Sequence, residues 1–269
     1  MIQFHVYPEG KKRIVTFSYD DGHENDARLV RLFNQYGVKG TFHLNGGTKN
    51  DGGMENTDLP KLLKARYQGH EISCHTMSHG WPARMPCQSL IAEITENRRF
   101  LEKAAGYPAI GMSYPSGDYD EDVKTAMKMC GIVYSRTGKK TMDFGLPDDF
   151  LEWHPTCHHR QALELCDRFL ANLDSEWERP LFYIFGHSHE FHTEEDWNLM
   201  ESILKKLSGN EKIWYATSIE IYRYMTAQRS LEISVDETCF YNPTAVTVWV
   251  EKDKKQIIRI PAGETVVLK

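Results

Sequence analysis

Segments with β-strand character alternate with segments of helical periodicity along the first 226 residues of the chain. The seven strand-like segments are residues 13–19, 40–44, 71–75, 110–114, 132–135, 181–186 and 213–216. Because parallel strands need crossover connections, usually helices, this alternation is typical of repeated βαβ units. The sequence therefore predicts an α/β fold with a parallel sheet, either doubly wound or closed into a barrel.

Residues 230–269 break this alternation, since no helical periodicity runs through them. Short strand-like runs occupy residues 231–235, 245–250, 257–260 and 265–268. We expect a main domain over residues 1–229 and a small C-terminal β appendage over residues 230–269, packed on the main domain. The appendage contains no histidine, so we assign it to packing or to homo-oligomer assembly and not to catalysis.

Composition narrows the class of protein. With 269 residues, 41% hydrophobic and 26% charged, the chain has the make-up of a globular protein. Its net charge of −6 argues against a nucleic-acid or anionic-membrane partner. The first thirteen residues lack the apolar core of a secretory signal, so we expect a cytoplasmic protein, although a trimmed secreted form would look the same. The six cysteines form no CxxC pair, and we expect reduced thiols without disulfides.

Polar side chains follow four of the predicted strands at the point where each strand ends. In chain order they are Asp20, Asp21, His75, His79, Ser116 and His187. The carboxyl ends of parallel strands meet at one edge of the sheet or barrel, where α/β enzymes place their chemistry. We therefore expect these six side chains to share one rim.

Two histidines and one carboxylate form a donor set that suits a divalent metal with open coordination positions. His75 and His79 are four residues apart, and on a helical turn this spacing places both imidazoles on one face. Beyond the strand end, Asp20 and Asp21 can both turn toward one cavity, so that one binds metal and the other accepts a proton. Each motif alone also has a simpler explanation, namely a pair of loop histidines and an Asp-Asp-Gly turn. Non-heme iron oxygenases use the same donors, but the βα alternation argues against them.

Five short motifs resemble those of the polysaccharide deacetylases that share the NodB homology domain (carbohydrate esterase family 4 type). They are TFSYDDG at 16–22, KGTF at 39–42, HTMSH at 75–79, YPSG at 114–117 and FGH at 185–187. The motifs lie between residues 16 and 187, and the resemblance extends over about residues 13–226, most of the chain. The DDG and HTMSH motifs in this order are specific, whereas the other matches are weaker.

The resemblance implies a distorted barrel with fewer than eight βα units, here a (β/α)7-type barrel. It implies a hydrolase that removes N-acetyl, or O-acetyl, groups from an acetylated carbohydrate with metal-activated water. By position it makes Asp20 the general base, His187 the general acid, and the backbone N–H of Ser116 an oxyanion donor. The implied metal ligands are Asp21, His75 and His79, and the expected metal is zinc, with cobalt or nickel as alternatives.

Two positions depart from the family pattern. Ser113 stands where many members have an arginine that braces the catalytic aspartate. The fourth family motif, an aspartate with a tryptophan, has only Asp148, Asp149 and Trp153 as candidates. The sequence therefore leaves open which groups tune Asp20 and His187.

Several residues near the motifs are candidates for substrate contacts: Trp81, Tyr114, Trp153 and His189. For the aromatic residues, packing is an equally good explanation. His189 lies two residues beyond His187, about 6–7 Å along an extended chain, so we assign it to the groove wall. The HPTCHH cluster at 154–159 matches no common zinc spacing and is interpreted as part of the rim. Two further alternatives stay open, a C–N hydrolase acting on a small non-sugar substrate and a non-catalytic carbohydrate-binding protein.

Overall fold

The computed structural model describes residues 1–46, 64–171, 173 and 180–268. Its helices are α1 (Asp26–Gln35), α2 (Cys87–Ala105), α3 (Glu121–Met129), α4 (His159–Ala171), α5 (Glu194–Leu207) and α6 (Ser218–Arg229). Its strands are β1 (Ile2–Gln3), β2 (Arg13–Asp20), β3 (Gly40–Leu44), β4 (Glu71–Cys74), β5 (Gly111–Ser113), β6 (Tyr134–Arg136), β7 (Cys157–His158), β8 (Leu181–His187), β9 (Ile213–Tyr215), β10 (Glu232–Ile233), β11 (Cys239–Tyr241), β12 (Val248–Lys252), β13 (Gln256–Ile260) and β14 (Thr265–Val267).

One parallel sheet of eight strands forms the centre of the protein. Its order is β6-β5-β4-β3-β2-β8-β7, and β9 pairs with the start of β2. All seven predicted strands belong to this sheet, which curls with helices packed on its outer side. The prediction of a distorted (β/α)7-type barrel is confirmed.

Strand β2 is buried along its whole length, and its alternation sets the two faces of the sheet. Phe17 points outward and packs on Phe33 of α1, with ring centroids 4.8 Å apart. Ser18 and Asp20 point inward, where both contact Arg136 of β6. Because successive side chains of a strand alternate in direction, the apolar face holds the helices while the polar face ends at Asp20, on the carboxyl rim.

The region from 136 to 159 contains more structure than its irregular composition indicates. A 3-10 turn spans Phe150–Glu152, and β7 pairs in parallel with β8 through Cys157↔Ile184 and His158↔Phe185. A two-residue strand carries no readable alternation, so the sequence did not predict β7. The sequence pattern also predicts a helix over residues 58–68, but most of these residues lie outside the described ranges.

Asn25 precedes α1, but its side chain makes no capping bond to the helix. Its amide instead donates to the carbonyl oxygens of Ser188 and Phe191, at 3.1 and 3.3 Å. Asparagine is a preferred N-cap residue, but here its side chain instead links α1 to the turn that follows β8. This link fixes the segment that carries His187 relative to the end of β2.

The C-terminal strands form two small antiparallel sheets, β10-β11-β14 and β1-β12-β13. The sequence did not predict β11, nor that β1 pairs with β12 through Ile2↔Lys252 and Gln3↔Glu251. The first residues of the chain thus lie in the same sheet as the C-terminal segment. Separate domains for residues 1–229 and 230–269 stay a prediction. All six cysteines are free. Within the described ranges, every helix is too short or too polar to cross a membrane.

Candidate active site

Asp21, His75 and His79 come together at the carboxyl rim of the sheet. The Nε2 atoms of His75 and His79 each lie 3.5 Å from the same oxygen, Oδ1 of Asp21. One donor atom from each of the three residues lies within 4.8 Å of the other two, and the two imidazole centroids are 4.9 Å apart. The expected convergence of these three donors is present in the structure.

The backbone that brings the two histidines together is not a helical turn. His75 directly follows β4, and the chain then bends, with positive φ angles at Thr76 (60°) and His79 (56°). Asp21 also has a positive φ, 78°. Residues other than glycine seldom adopt positive φ angles, because this conformation costs free energy, and those that do are concentrated at functional sites. The proposed i, i+4 helical geometry is therefore wrong, although the side chains meet.

The orientation of His75 is set by Ser113. His75 is buried, and its Nδ1 lies 2.9 Å from the carbonyl oxygen of Ser113 and 2.7 Å from the Ser113 hydroxyl. Because a carbonyl oxygen can only accept, Nδ1 carries the proton and Nε2 presents its lone pair toward Asp21. Burial lowers the pKa of His75, despite the opposing charges of Asp20 and Asp21, which keeps the ring neutral.

This donor set fits a divalent metal. A ligating histidine usually has its other ring nitrogen bonded to a carbonyl or carboxylate, and His75 has that arrangement. Two imidazole nitrogens and one carboxylate oxygen suit zinc and related ions. Asp21, His75 and His79 are thus the residues that would hold such an ion.

Asp20 is buried beside this donor set and faces a different group of partners. The Arg136 guanidinium donates from Nη2 to Oδ2 of Asp20, and the Ser113 hydroxyl donates to Oδ1 at 3.0 Å. Burial alone would raise the pKa of Asp20, but Arg136, His75 and neighbouring imidazoles outweigh it and hold that pKa well below its usual range. Asp20 is therefore an ionised carboxylate within a buried ion pair.

Arg136 is the residue that pairs with Asp20 in place of the arginine that many family members have at the position of Ser113. In the β5–β6 ladder, Ser113 and Arg136 are directly paired, so the guanidinium enters from the neighbouring strand. Arg136 also donates to Ser18 Oγ at 3.0 Å and to the Thr137 carbonyl at 3.0 Å, and its guanidinium lies 4.7 Å from the centre of the Phe185 ring. Sequence reasoning missed Arg136, although a charged residue at the end of an apolar strand was the available signal.

His187 lies at the end of β8 and faces the side chain of Asp20. Its Nε2 is 3.9 Å from Asp20 Oδ2, and its Nδ1 is 2.9 Å from Glu190 Oε1. His189 is half-exposed and places Nδ1 3.7 Å from Asp21 Oδ2. His187 thus faces the aspartate of the buried ion pair, whereas His189 faces the aspartate of the metal-type donor set. Glu190 was not among the predicted site residues.

The remaining candidates fall into exposed and buried groups. Ser116 is exposed in a tight turn with a φ of 55°, and Trp81 is 45% exposed with the Arg84 guanidinium 4.1 Å from the centre of its ring. Trp153 and Tyr114 are 0% and 2% exposed, so neither offers a face to a substrate and we assign both to packing.

The candidates for the fourth family motif lie elsewhere. Asp149 pairs with Lys124 at 2.9 Å and caps the 3-10 turn by accepting from the Leu151 N–H. Asp148 and Asp149 line a separate cavity of about 350 Å³ with other residues of the loop. In the structure the carboxylate bonded to His187 is Glu190.

Known proteins are similar to this chain in sequence. The family model of the polysaccharide deacetylases matches residues 8–135. Chitin deacetylase 1 of Cryptococcus neoformans var. grubii is 26% identical over 150 residues, which cover 53% of this chain and 30% of that protein. The peptidoglycan-N-acetylglucosamine deacetylase of Bacillus cereus is 30% identical over 120 residues, covering 43% of this chain and 52% of that protein. The resemblance to the polysaccharide deacetylase family is confirmed.

The likeness to polysaccharide deacetylases also extends to the fold. A solved structure from Mycobacterium smegmatis matches with a TM-score of 0.61 at 16% identity, covering 85% of this chain and 96% of that chain. The alignments span about half or less of the length of the two curated relatives. The polysaccharide deacetylase match includes Asp20, Asp21, His75, His79 and Ser116 and stops one residue before Arg136.

Proposed function

We propose that this protein is a metal-dependent hydrolase that removes N-linked acetyl groups from a carbohydrate, with O-linked acetyl groups as the alternative. The observation that carries this proposal is the arrangement of two groups on one rim. A metal-type donor set, Asp21 with His75 and His79, lies beside an ionised Asp20 that His187 faces at 3.9 Å. Amide hydrolysis needs an activated water and a proton for the leaving nitrogen, and this rim holds residues suited to both tasks.

The metal ligands in this proposal are Asp21, His75 and His79. A divalent cation bound there would polarise the acyl oxygen and make a water molecule more acidic. Zinc suits the donors best, with cobalt or nickel as alternatives. Ser113 contributes by keeping the proton of His75 on Nδ1.

Asp20 acts as the general base and His187 as the general acid. Asp20 is ionised, so it can accept a proton from the attacking water as the new C–O bond forms. The breaking C–N bond leaves an amine, which departs readily only when protonated, and His187, whose Nε2 lies 3.9 Å from Oδ2 of Asp20, would deliver that proton. The backbone N–H of Ser116 would donate to the acyl oxygen as negative charge develops there.

The carbohydrate part of the proposal is supported by the curated relatives, whose names give chitin and peptidoglycan N-acetylglucosamine as substrates. The exposed face of Trp81 is suited to stacking on a sugar ring, since aromatic faces combine a large apolar area with low conformational cost. His189, half-exposed beside Asp21, would form part of the groove wall.

A substrate screen tests this function. N-acetylglucosamine oligomers, acetylated xylan oligomers and small amides are incubated with Zn²⁺- or Co²⁺-loaded protein, and acetate and ammonia are measured separately. Acetate release that requires metal and is lost in Asp20→Asn supports the proposal. Ammonia from a small amide would indicate a different C–N hydrolase, and oligosaccharide binding without acetate release would indicate a non-catalytic protein.

A further inference from the structure

Glu190 lies at the centre of a cluster of imidazoles that the proposed reaction does not yet explain. Its Oε1 is 2.9 Å from Nδ1 of His187, and its Oε2 is 2.9 Å from Nε2 of His158 and 3.4 Å from Nε2 of His159. These residues come from the end of β8, the turn after it, the end of β7 and the start of α4. The side chain of Glu190 is only 21% exposed, so its charge is directed into this cluster.

The hydrogen bonds give a direction to the cluster. The Arg160 backbone N–H donates to Nδ1 of His158 at 3.4 Å, so His158 carries its proton on Nε2, which lies 2.9 Å from Oε2 of Glu190. Burial lowers the pKa of His159 to about 3, and its neutral ring packs against Tyr19 and Phe191. The carboxylate therefore forms a close polar contact with His158 through one oxygen and a hydrogen bond with His187 through the other.

We propose that Glu190 is a positioning residue that fixes His187 with Nε2 toward Asp20, and that His158 holds Glu190 in this orientation. This inference rests on the proposed role of His187 as general acid. Donation from Nδ1 to a carboxylate fixes the ring orientation and stabilises the imidazolium form, which is the form that delivers a proton. The HPTCHH segment, which matched no zinc spacing, thus contributes His158 to the support of His187.

The charges around His187 favour the same assignment. The charged or titratable groups that face it are Asp20 at the end of β2, Asp21 directly after it, Arg136 on β6, His158 on β7, His159 on α4, and His189 and Glu190 on its own turn. Burial alone would lower the pKa of His187, but the bond to Glu190 and the charges of Asp20 and Asp21 outweigh it and raise that pKa. Removal of the Glu190 charge should therefore make the protonated form of His187 less stable.

A second metal ion is the competing explanation, because donor atoms of Glu190, His158 and His159 lie within 4.8 Å of one another. Two observations favour the positioning role. Oε1 of Glu190 is already hydrogen-bonded to Nδ1 of His187 at 2.9 Å. Arg160 Nε is 3.7 Å from Oε2, so a permanent cation lies beside the oxygen that a metal would use.

The test compares Glu190→Gln with Glu195→Gln, an exposed glutamate on α5. In zinc-loaded protein, histidine imidazoles are titrated by NMR, and bound zinc and the pH profile of kcat/KM are measured. We expect Glu190→Gln to lower the pKa of His187 by about one unit. The alkaline limb of kcat/KM should move to lower pH, and kcat should fall about 10- to 100-fold. Zinc content should stay at one ion per chain, and Glu195→Gln should behave as the parent.

Each other outcome contradicts the proposal. An unchanged His187 titration in folded Glu190→Gln would show that Glu190 does not act through this ring. Zinc falling from two ions to one would show that the cluster is a metal site. Should Glu190→Gln fail to fold, the same titration is made on Glu190→Asp, whose shorter side chain withdraws the carboxylate from Nδ1 of His187 and should lower the pKa of His187; an unchanged titration or a loss of zinc in that variant would overturn the assignment. If the parent protein has no deacetylase activity, the NMR titration still decides the positioning role.

His158 provides the second arm. His158→Leu removes the imidazole that lies 2.9 Å from Oε2 of Glu190 and should shift the His187 titration in the same direction as Glu190→Gln, but less. His158→Gln keeps a donor and should restore part of the shift. A larger shift of the His187 titration in His158→Leu than in Glu190→Gln would contradict the proposal that His158 acts on His187 through Glu190.

Discussion

The two sides of the candidate site are built in different ways. On the metal side, Asp21, His75 and His79 all lie within short motifs, and His75 is oriented by the backbone of Ser113. On the proton-transfer side, Asp20 and His187 also lie in motifs, but their charged partners do not. Arg136 comes from β6 and Glu190 from the turn after β8, both beyond the residues that the family match covers.

This difference follows from what each task requires. Metal binding needs particular donor atoms within a few ångström of one point, so residue type and spacing are constrained together. Bracing a carboxylate or an imidazole needs only an opposite charge at hydrogen-bond distance, which any adjacent strand end can supply. Ser113 and Arg136 are paired in register on adjacent strands. An arginine at the β6 position can therefore reach Asp20 as well as one at the β5 position.

The largest expected effect is loss of metal on substitution of the imidazoles. His75→Ala and His79→Ala should each strongly deplete bound zinc and abolish metal-dependent turnover, because each removes one of three donors. Metal analysis after dialysis measures this, with His154→Ala, whose ring contacts Thr137 at 2.7 Å, as the control. Asp20→Asn should keep its metal and lose turnover. Full zinc occupancy in both alanine variants would show that His75 and His79 are not metal ligands, and the distinction between the two sides of the site would no longer hold.

The next effect separates His187 from His189. A positioned acid typically contributes 10²- to 10⁴-fold, so His187→Ala should lose roughly that much turnover with its metal retained. His189→Ala should lose clearly less, since its ring faces Asp21 and is the more exposed of the two. Turnover with a substrate of good leaving group, such as an activated ester, should recover much more in His187→Ala. Zinc loss in His189→Ala would instead extend the metal side to that residue.

The sequence predicted the parts whose physical requirements leave a local pattern. Strand alternation and helical periodicity located seven strands and predicted a parallel sheet, whereas the family resemblance implied the distorted barrel; the spacing of His75 and His79 identified a donor pair. The bend that joins these histidines was not predicted, because positive φ angles at Thr76 and His79 have no glycine to signal them. Arg136 and Glu190 depend on register between β5 and β6 and on the turn after β8, contacts that only the folded chain brings together.

A smaller effect concerns the Asp20–Arg136 pair, in which both side chains are almost fully buried. Arg136→Ser leaves the Asp20 carboxylate buried without its cation, which should reduce the free energy of unfolding by about 3–5 kcal/mol. The double variant Ser113→Arg with Arg136→Ser returns the guanidinium to β5 and should recover part of the lost stability and turnover. Chemical denaturation and acetate release measure both. Equal behaviour of the single and double variants would contradict the idea that the charge can be exchanged between adjacent strands.

The smallest effect concerns Ser113, which touches both sides. Its hydroxyl donates to Asp20 Oδ1 at 3.0 Å and lies 2.7 Å from His75 Nδ1, while its carbonyl oxygen lies 2.9 Å from the same nitrogen. Ser113→Ala removes the hydroxyl and leaves the carbonyl, so His75 keeps an acceptor for its proton and zinc content should be unchanged. Asp20 loses one charge-assisted hydrogen bond, a contribution of about 1.5–3 kcal/mol.

Turnover in Ser113→Ala should therefore fall about tenfold, which corresponds to roughly 1.4 kcal/mol in the barrier. The drop should be smaller than in Asp20→Asn, because Arg136 still holds the carboxylate. Ser113→Thr keeps the hydroxyl and is the matched control for substitution in this packed position. If Ser113→Ala instead loses zinc while turnover per bound ion stays at the parent value, the hydroxyl serves His75 and not Asp20. Ser113 would then contribute its hydroxyl to the metal side and not to the proton-transfer side.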